Sequence, residues 1–383
     1  MCVRILGKEG SMLDISHIII YNCIYHIHTI MKYKFDKRIE SLSESIQVKI
    51  NNIDLLKSKW ISGAELDRQV LEGLKKSVLI TSSGASTRIE GSSLSDEDVE
   101  RLMRGLSLQA FKDRDKQEVR GYFELLDNIF SSYTTIPFSE STIKFFHKEI
   151  LKYTDKDEQH RGEYKKTENK VAMVSPTGEP VEILFDTTDA WKTPKEMQEL
   201  VEWTQHAFLE KEFHPLYIIG NFVVEFLHIH PFEDGNGRLS RVLTNLLLLQ
   251  HGYKYIPYVS HEKIVEENKI DYYLTLRNSQ KTFRSDSENL SPWMNFFCDV
   301  LHTQAEQSLE LISETEVTKL LSPQQQKVWK YILTQENEFT PRELEEVTKI
   351  PRPTISQVLE KLLKNKWIEK RGMGRGTRYI RIK

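Results

Sequence analysis

The chain has 383 residues, 39% of them hydrophobic and 28% charged, and a net charge of −3. That length allows two or three domains with their own cores, the apolar and charged shares are those of a globular protein, and the near-neutral balance excludes the chain-wide basic field of a nucleic-acid binder. Cys2, Cys23 and Cys298 are the only cysteines, too few and too scattered for a disulfide framework or a thiolate zinc site, and they suit a reducing cytoplasm.

Residues 18–30, IIIYNCIYHIHTI, have the apolarity of a signal peptide. Asn22, His26 and His28 interrupt the run, it lacks a small-residue cleavage site, and it is too short to span a bilayer. Met31 opens a more ordinary sequence, so residues 1–30 read as a misassigned start or loose appendage within an N-terminal extension, 1–60. No membrane attachment is expected. From residue 62 the pattern is helical: a helix from Asp67 to about Ile80, a Ser-rich stretch, then a helix capped by Ser95 through SDED. Further helices are expected over 113–132, 139–152 and 194–212. Residues 171–186, VAMVSPTGEPVEILFD, break the pattern, two β-prone runs around Pro176-Thr177-Gly178 that read as a hairpin.

Residues 215–230 form the most legible helix. Pro215 suits the first helical position, and Ile219, Phe222, Phe226 and His230 follow at steps of three and four on one face. Pro231 disfavours continuation. A second buried helix follows Gly237, striped by Leu239, Val242, Leu243, Leu246 and Leu247.

The loop between these helices carries the chemistry: His230-Pro231-Phe232-Glu233-Asp234-Gly235-Asn236-Gly237-Arg238-Leu239-Ser240-Arg241. Gly235-Asn236-Gly237 can turn backbone N–H groups inward at the positive end of the following helix, an anion cradle suited to phosphate. Arg238 and Arg241, three apart, can both lean toward that anion. Asp234 is the hard oxygen ligand that a phosphate-bound Mg²⁺ wants. His230 ends the preceding helix, where an imidazole could take a proton from an attacking hydroxyl. Singly, each has a plainer reading, as a core histidine, a simple turn or surface ion pairs; their concentration in twelve residues is what points to a site.

The string HPFEDGNGRLSR resembles the Fic-family signature, His-x-Phe-x-Asp/Glu-Gly-Asn-Gly-Arg-x-x-Arg, at every defined position. Weaker similarity extends to the hairpin, which looks like the family's flap, to Arg161-Gly162-x-Tyr164, and downstream to Asp271-Tyr272-Tyr273 and Trp293-x-x-Phe296-Phe297. The resemblance implies a mainly α fold, a Fic helical bundle over 61–303 with a small β-hairpin flap, and transfer of AMP from ATP-Mg²⁺ to a Ser, Thr or Tyr hydroxyl of a protein, which could be this chain itself. It implies His230 as general base and Asp234 as magnesium ligand. Gly235, Asn236 and Gly237 would cradle the α- and β-phosphates, Arg238 would hold the β-phosphate and Arg241 would steer the γ-phosphate. The flap would hold the target's backbone as an added strand. De-AMPylation or another Fic-type phosphotransfer on the same fold is the alternative, as is a DNA-binding regulator whose Fic domain senses nucleotide.

Upstream, Ser86 and Glu90 are four apart on one face of a helical turn, and Gly91 suits its end. This Ser-x-x-x-Glu-Gly resembles the family's inhibitory motif, within a segment 80–91. It implies that Glu90 pairs with Arg241, takes the place of the γ-phosphate and leaves ATP in a non-reactive pose.

Residues 304–320 read as a charged linker, a connecting helix. Residues 321–383 hold 14 Lys+Arg against 7 Asp+Glu. Ser322-Pro323-Gln324-Gln325 and Thr340-Pro341-Arg342-Glu343 read as capping boxes with Pro at the first helical position. A third helix from about Pro353 to Asn365 and two strands about a Gly-rich turn follow, so this tract resembles an α+β winged helix-turn-helix domain. Arg352, Thr354, Ser356 and Gln357 would face base edges, and Lys370, Arg371, Arg375 and Arg378 phosphates, if it binds DNA; docking to protein, or a homodimer through this domain, is the other reading.

Overall fold

A computed structural model describes residues 33–63, 68–105, 114–154, 158–174, 180–335, 337–372 and 376–382. The apolar run at 18–30 and the turn at Pro176-Thr177-Gly178 lie outside the described residues. In chain order the elements are α1 (Asp36–Glu40), α2 (Glu44–Gly63), α3 (Arg68–Ile89), α4 (Asp96–Met103), α5 (Arg114–Ser132), α6 (Glu140–Ile150), β1 (Lys170–Val174), β2 (Pro180–Asp186), α7 (Thr193–Glu210), α8 (Pro215–Ile229), α9 (Asn236–Gln250), α10 (His261–Glu267), α11 (Lys269–Gln280), α12 (Ser291–Leu320), α13 (Pro323–Leu333), α14 (Pro341–Thr348), α15 (Arg352–Lys364), β3 (Ile368–Arg371) and β4 (Arg378–Arg381). The fold is mainly α, with two small antiparallel hairpins among the described residues. None of the described helices is long and apolar enough to cross a membrane.

Two compact units emerge. Among the described residues, the first takes those of 33–47, 135–244 and 269–297; the second takes those of 48–134, 245–268 and 298–382. Residues 33–40, set apart in sequence as an extension, are woven into the first unit. Phe35 is buried against Trp203, whose Nε1–H donates to Asp36 Oδ1 at 2.8 Å, and Asn221 Nδ2 donates to the Phe35 carbonyl at 3.0 Å. The Arg38 guanidinium pairs with Glu225 and Glu288 and lies 3.7 Å from the centroid of the Phe283 ring. Arg284 reaches the same Glu225 at 2.6 Å. Burial opposes charge on Glu225, but Arg38 and Arg284 outweigh it and hold the carboxyl well below the usual carboxylate range.

In the second unit, α3 differs from its sequence reading. The Ser-rich stretch does not end it near Ile80; the helix continues to Ile89. Its hydroxyls are buried and bond back to the helix itself, Ser83 Oγ to the Leu79 carbonyl at 2.7 Å and Thr87 Oγ1 to the Ser83 carbonyl at 3.0 Å, while Ser82 Oγ reaches Ser260 Oγ at 2.8 Å. Side chains that would otherwise compete with the helix are therefore satisfied inside it. Residues 304–320, expected as a connecting helix, are the closing turns of the 30-residue α12. The Ser95–Asp98, Ser322–Gln325 and Thr340–Glu343 capping boxes all form.

Beyond residue 320 the order is helix, helix, helix, hairpin. Val328, Trp329, Ile332, Leu344, Ile355, Val358, Leu362 and Ile368 supply its core. Phe339 and Tyr379 exchange backbone hydrogen bonds at 2.8 and 2.9 Å, adding a bridge to the β3–β4 hairpin. Arg352, Ser356 and Gln357 are exposed on α15, as are Lys370, Arg371 and Arg378 on the hairpin strands, whereas Thr354 is half-buried. Arg375 lies outside the described residues.

Candidate active site

α8 is buried from Leu216 through Leu227, which fixes the position of its C-terminal end. His230 caps that end in a left-handed conformation, φ 51° and ψ 60°, and its N–H donates to the Phe226 carbonyl at 2.9 Å. Pro231 disfavours the right-handed alternative at this position. The imidazole Nδ1 lies 3.3 Å from the Leu227 carbonyl. A proton shared on that nitrogen puts the ring's lone pair on Nε2, the tautomer that a base requires.

The loop then closes on itself. Phe232 is fully buried. Both amide atoms of Asn236 bind its backbone, Oδ1 accepting from the Phe232 N–H at 2.9 Å and Nδ2 donating to the Phe232 carbonyl at 2.7 Å. The Asn236 side chain thus shapes the loop, and its contribution to an anion cradle is left to its backbone. Gly235, at φ +77°, supplies the turn, and its carbonyl accepts the Leu239 N–H at 2.9 Å as the first helical bond of α9. A Cβ at 235 would sit 3.6 Å from the His147 ring, an ordinary contact, so glycine is wanted for conformation and not for space. The first amides of α9 have no acceptor within the helix, which makes this end attractive to an anion. Arg238 and Arg241 are each 2% exposed in its first turns, and Arg238 Nη2 pairs with Asp234 Oδ2 at 3.1 Å. His230, Asp234, Gly235, Asn236, Gly237, Arg238 and Arg241 therefore all belong to one turn and the helix start it feeds.

His147, on α6, carries no sequence signal and yet supports this turn. Its ring stacks on Phe232 with centroids 3.8 Å apart and planes 10° apart. Nδ1 accepts the Gly162 N–H at 2.8 Å, so the proton is on Nε2, which donates to the Asp234 carbonyl at 2.9 Å. Burial pushes the imidazole down to about 4, which keeps it neutral at pH 7. Lys165 and Asn169 approach the same turn from the hairpin side. Neither was singled out in sequence.

The expected flap is the β1–β2 hairpin, paired Lys170 with Asp186 and irregular at two steps. Its feet are tied together: Glu168 accepts the Ala190 N–H at 3.1 Å, and Thr187 Oγ1 donates to the Asn169 carbonyl at 2.8 Å.

Ser86 and Glu90 lie in the second unit. Ser86 is fully buried near the end of α3, and Glu90 is exposed. Gly91, at φ +106°, ends the helix: its N–H reaches the Arg88 carbonyl, and the Ser92 N–H reaches that of Thr87. The Arg88 guanidinium clasps this end to Glu266 on α10, at 2.5 and 3.1 Å, and to Asp96 at 2.9 Å.

Among the described residues no cluster of three or more His, Cys, Asp or Glu side chains could hold a metal ion. The donor set fits a magnesium ion that arrives with nucleotide phosphates, for which one carboxylate such as Asp234 suffices, and does not fit an all-protein cage.

A glycine-rich turn between two buried helices, flanked by a small hairpin in a mainly α frame, defines the class of the domain. Residues 137–248 match the Fic/DOC family, and this chain carries a Fic domain. A Fic family protein from Desulfovibrio desulfuricans shares the fold over 89% of this chain and 97% of its own, with a TM-score of 0.58 and 20% identity. A Fic domain containing signaling protein from Bacteroides thetaiotaomicron does so over 68% of this chain and 98% of its own, with a TM-score of 0.55 and 24% identity. Among curated relatives, Protein adenylyltransferase Fic of Aedes aegypti is 34% identical over 108 residues, 28% of this chain and 19% of that protein. That of Drosophila grimshawi is 27% identical over 154 residues, 40% of this chain and 26% of its own length. The chain thus spans only about a fifth to a quarter of these relatives.

Proposed function

We propose that this chain transfers AMP from ATP to a protein hydroxyl, with His230 as general base. The observation that carries this reading is the adjacency, within one turn, of a left-handed His230, its Nδ1 facing the Leu227 carbonyl at 3.3 Å, and the N-terminal end of α9 with Asp234, Arg238 and Arg241 around it. The first amides of α9, beginning in Gly235-Asn236-Gly237, bind the α- and β-phosphates. Arg238, freed from Asp234, takes the β-phosphate, and Arg241 steers the γ-phosphate. Asp234 would hold the magnesium ion carried by the nucleotide, which when bound neutralises charge on the leaving pyrophosphate. His230 removes the proton of the attacking hydroxyl as the new P–O bond forms at the α-phosphorus and pyrophosphate leaves. The hairpin presents that hydroxyl by pairing with the target's backbone.

Glu90 restrains this activity by competing for Arg241, a reading supported by the likeness of Ser86-x-x-x-Glu90-Gly91 to the family's inhibitory motif. The buried free thiol of Cys298 is in keeping with a reducing cytoplasm. Intact-mass measurement after incubation with ATP and Mg²⁺ tests the reading. A gain of one AMP per acceptor supports it, and a gain of one phosphoryl group contradicts it.

The basic surplus and the exposed Arg352, Ser356 and Gln357 at the start of α15 favour a second activity, duplex DNA binding by the C-terminal tract as a winged helix. Titration with random duplex at two salt concentrations checks it, since binding through phosphates weakens as salt rises. Salt-independent or absent binding would favour a protein-docking role instead.

A further inference from the structure

A non-glycine residue in the left-handed region is held there only when its surroundings over-determine it. Around His230 those surroundings are unusually economical. Four consecutive carbonyls, from Ile229 to Phe232, all accept hydrogen bonds from two residues that precede β1. Lys165 Nζ donates to the Ile229 carbonyl at 3.1 Å and the Lys165 backbone N–H to that of Pro231 at 2.9 Å. Asn169 Nδ2 donates to the Phe232 carbonyl at 2.9 Å and, more loosely, to that of His230 at 3.5 Å. The two donors are themselves joined, Lys165 Nζ to Asn169 Oδ1 at 2.8 Å, and the other foot of the hairpin closes the knot through Thr187 Oγ1, 2.9 Å from Lys165 Nζ and 2.6 Å from Asn169 Oδ1.

Lys165 is 3% exposed. Burial pushes its ammonium down to about 8, against the opposing pull of Glu168, Asp189 and Glu196, so it is mostly charged at pH 7. A cation at the C-terminal end of α8 is favoured by the exposed carbonyls there, and removing it would leave the Ile229 carbonyl without this donor.

We propose that Lys165 and Asn169 are positioning residues that hold His230 in its left-handed turn and tie that turn to both feet of the hairpin. The proposal rests on the reading of His230 as the base. Neither side chain hydrogen-bonds to α9, where phosphates would bind, although Asn169 shares the Phe232 carbonyl with Asn236, so their loss misplaces the base more than it weakens nucleotide binding.

Two variants test this in the full-length chain. Asn169→Asp keeps the shape but exchanges the donor amide for a carboxylate oxygen. Lys165→Met keeps the length and removes the ammonium, leaving its backbone bond to Pro231. For both, kcat for AMP transfer falls on the order of 10- to 100-fold, the scale of a small misplacement of a reacting group, while KM for ATP changes little. Hydrogen exchange, followed by mass spectrometry, quickens in peptides covering 228–234 and the hairpin feet at 165–169 and 187–188, and stays as in wild type elsewhere. Wild-type kcat in either folded variant would overturn the proposal, as would unaltered exchange at 228–234 or a loss of protection throughout the chain. If the wild-type chain transfers no AMP, the functional reading fails instead, and exchange at 228–234 still decides whether the two residues hold the turn.

Discussion

The Asn236 side chain offers a sharp test of how the loop is built, because two substitutions of opposite character should fall in a fixed order. Asn236→Ala removes the acceptor of the Phe232 N–H, which lies in a fully buried residue. It also removes one donor from the Phe232 carbonyl, but Asn169 Nδ2 remains there at 2.9 Å. One buried donor is orphaned, a cost of about 1–3 kcal/mol. Asn236→Asp is closer in shape and should be worse. It keeps the acceptor but sets a carboxylate oxygen where an amide donor lay 2.7 Å from a carbonyl. Such a buried, repelled carboxyl has its pKa raised above the unfolded value of about 3.9. The folded form therefore takes up its proton first as pH falls, the carboxyl becomes a donor, and the deficit of the Asp variant shrinks on acidification. Equilibrium urea unfolding should rank wild type above Ala and Ala above Asp at pH 7, with the Asp variant gaining on the others toward pH 4. An Asp variant as stable as wild type at pH 7, or an Ala variant costing less than about 0.5 kcal/mol, would refute this account of the loop.

Arg38→Met leaves Glu225, fully buried, with Arg284 as its remaining cation, and should cost about 3–5 kcal/mol in urea unfolding. Because the Glu225 pKa is depressed in the fold, its stabilisation is present above the unfolded carboxyl pKa of about 4.3 and lost below it, so the gap between wild type and Arg38→Met should narrow in acid. His147, held down at about 4 against an unfolded value of about 6.5, makes stability decline as pH falls through that window, since the unfolded chain takes the proton first; His147→Phe should flatten that slope in acid unfolding curves. Glu90→Gly should raise AMP incorporation several-fold in a labelled-ATP assay, and activity equal to wild type would count against inhibition.

What could be read in the sequence was what is local. Pro215, the steps of three and four through Phe226, and Pro231 placed α8 within a residue of its observed end, and the capping boxes at Ser95, Ser322 and Thr340 each announced a helix start. The serines at 82 and 83 misled because their usual preference for turns is reversed by burial, where each hydroxyl finds a partner within reach. Residues 304–320 were legible as a connecting helix, and they are helical as part of α12. At the site, the residues contiguous in HPFEDGNGRLSR were legible together, whereas His147, Lys165 and Asn169 act through bonds to residues 61 to 87 positions away. No spacing rule encodes such contacts. Asn236 was legible through its backbone, as part of the turn; that its side chain also binds the Phe232 backbone was not.

The most direct measurement follows the α-phosphorus of ATP. With label at that position and Mg²⁺ present, the label should become covalently attached to protein in the presence of the wild-type chain and stay in solution with His230→Ala, provided that the variant keeps the wild-type unfolding temperature. Equal labelling by a folded His230→Ala, or transfer of label from the γ-phosphorus instead, would contradict the role assigned to the turn after α8.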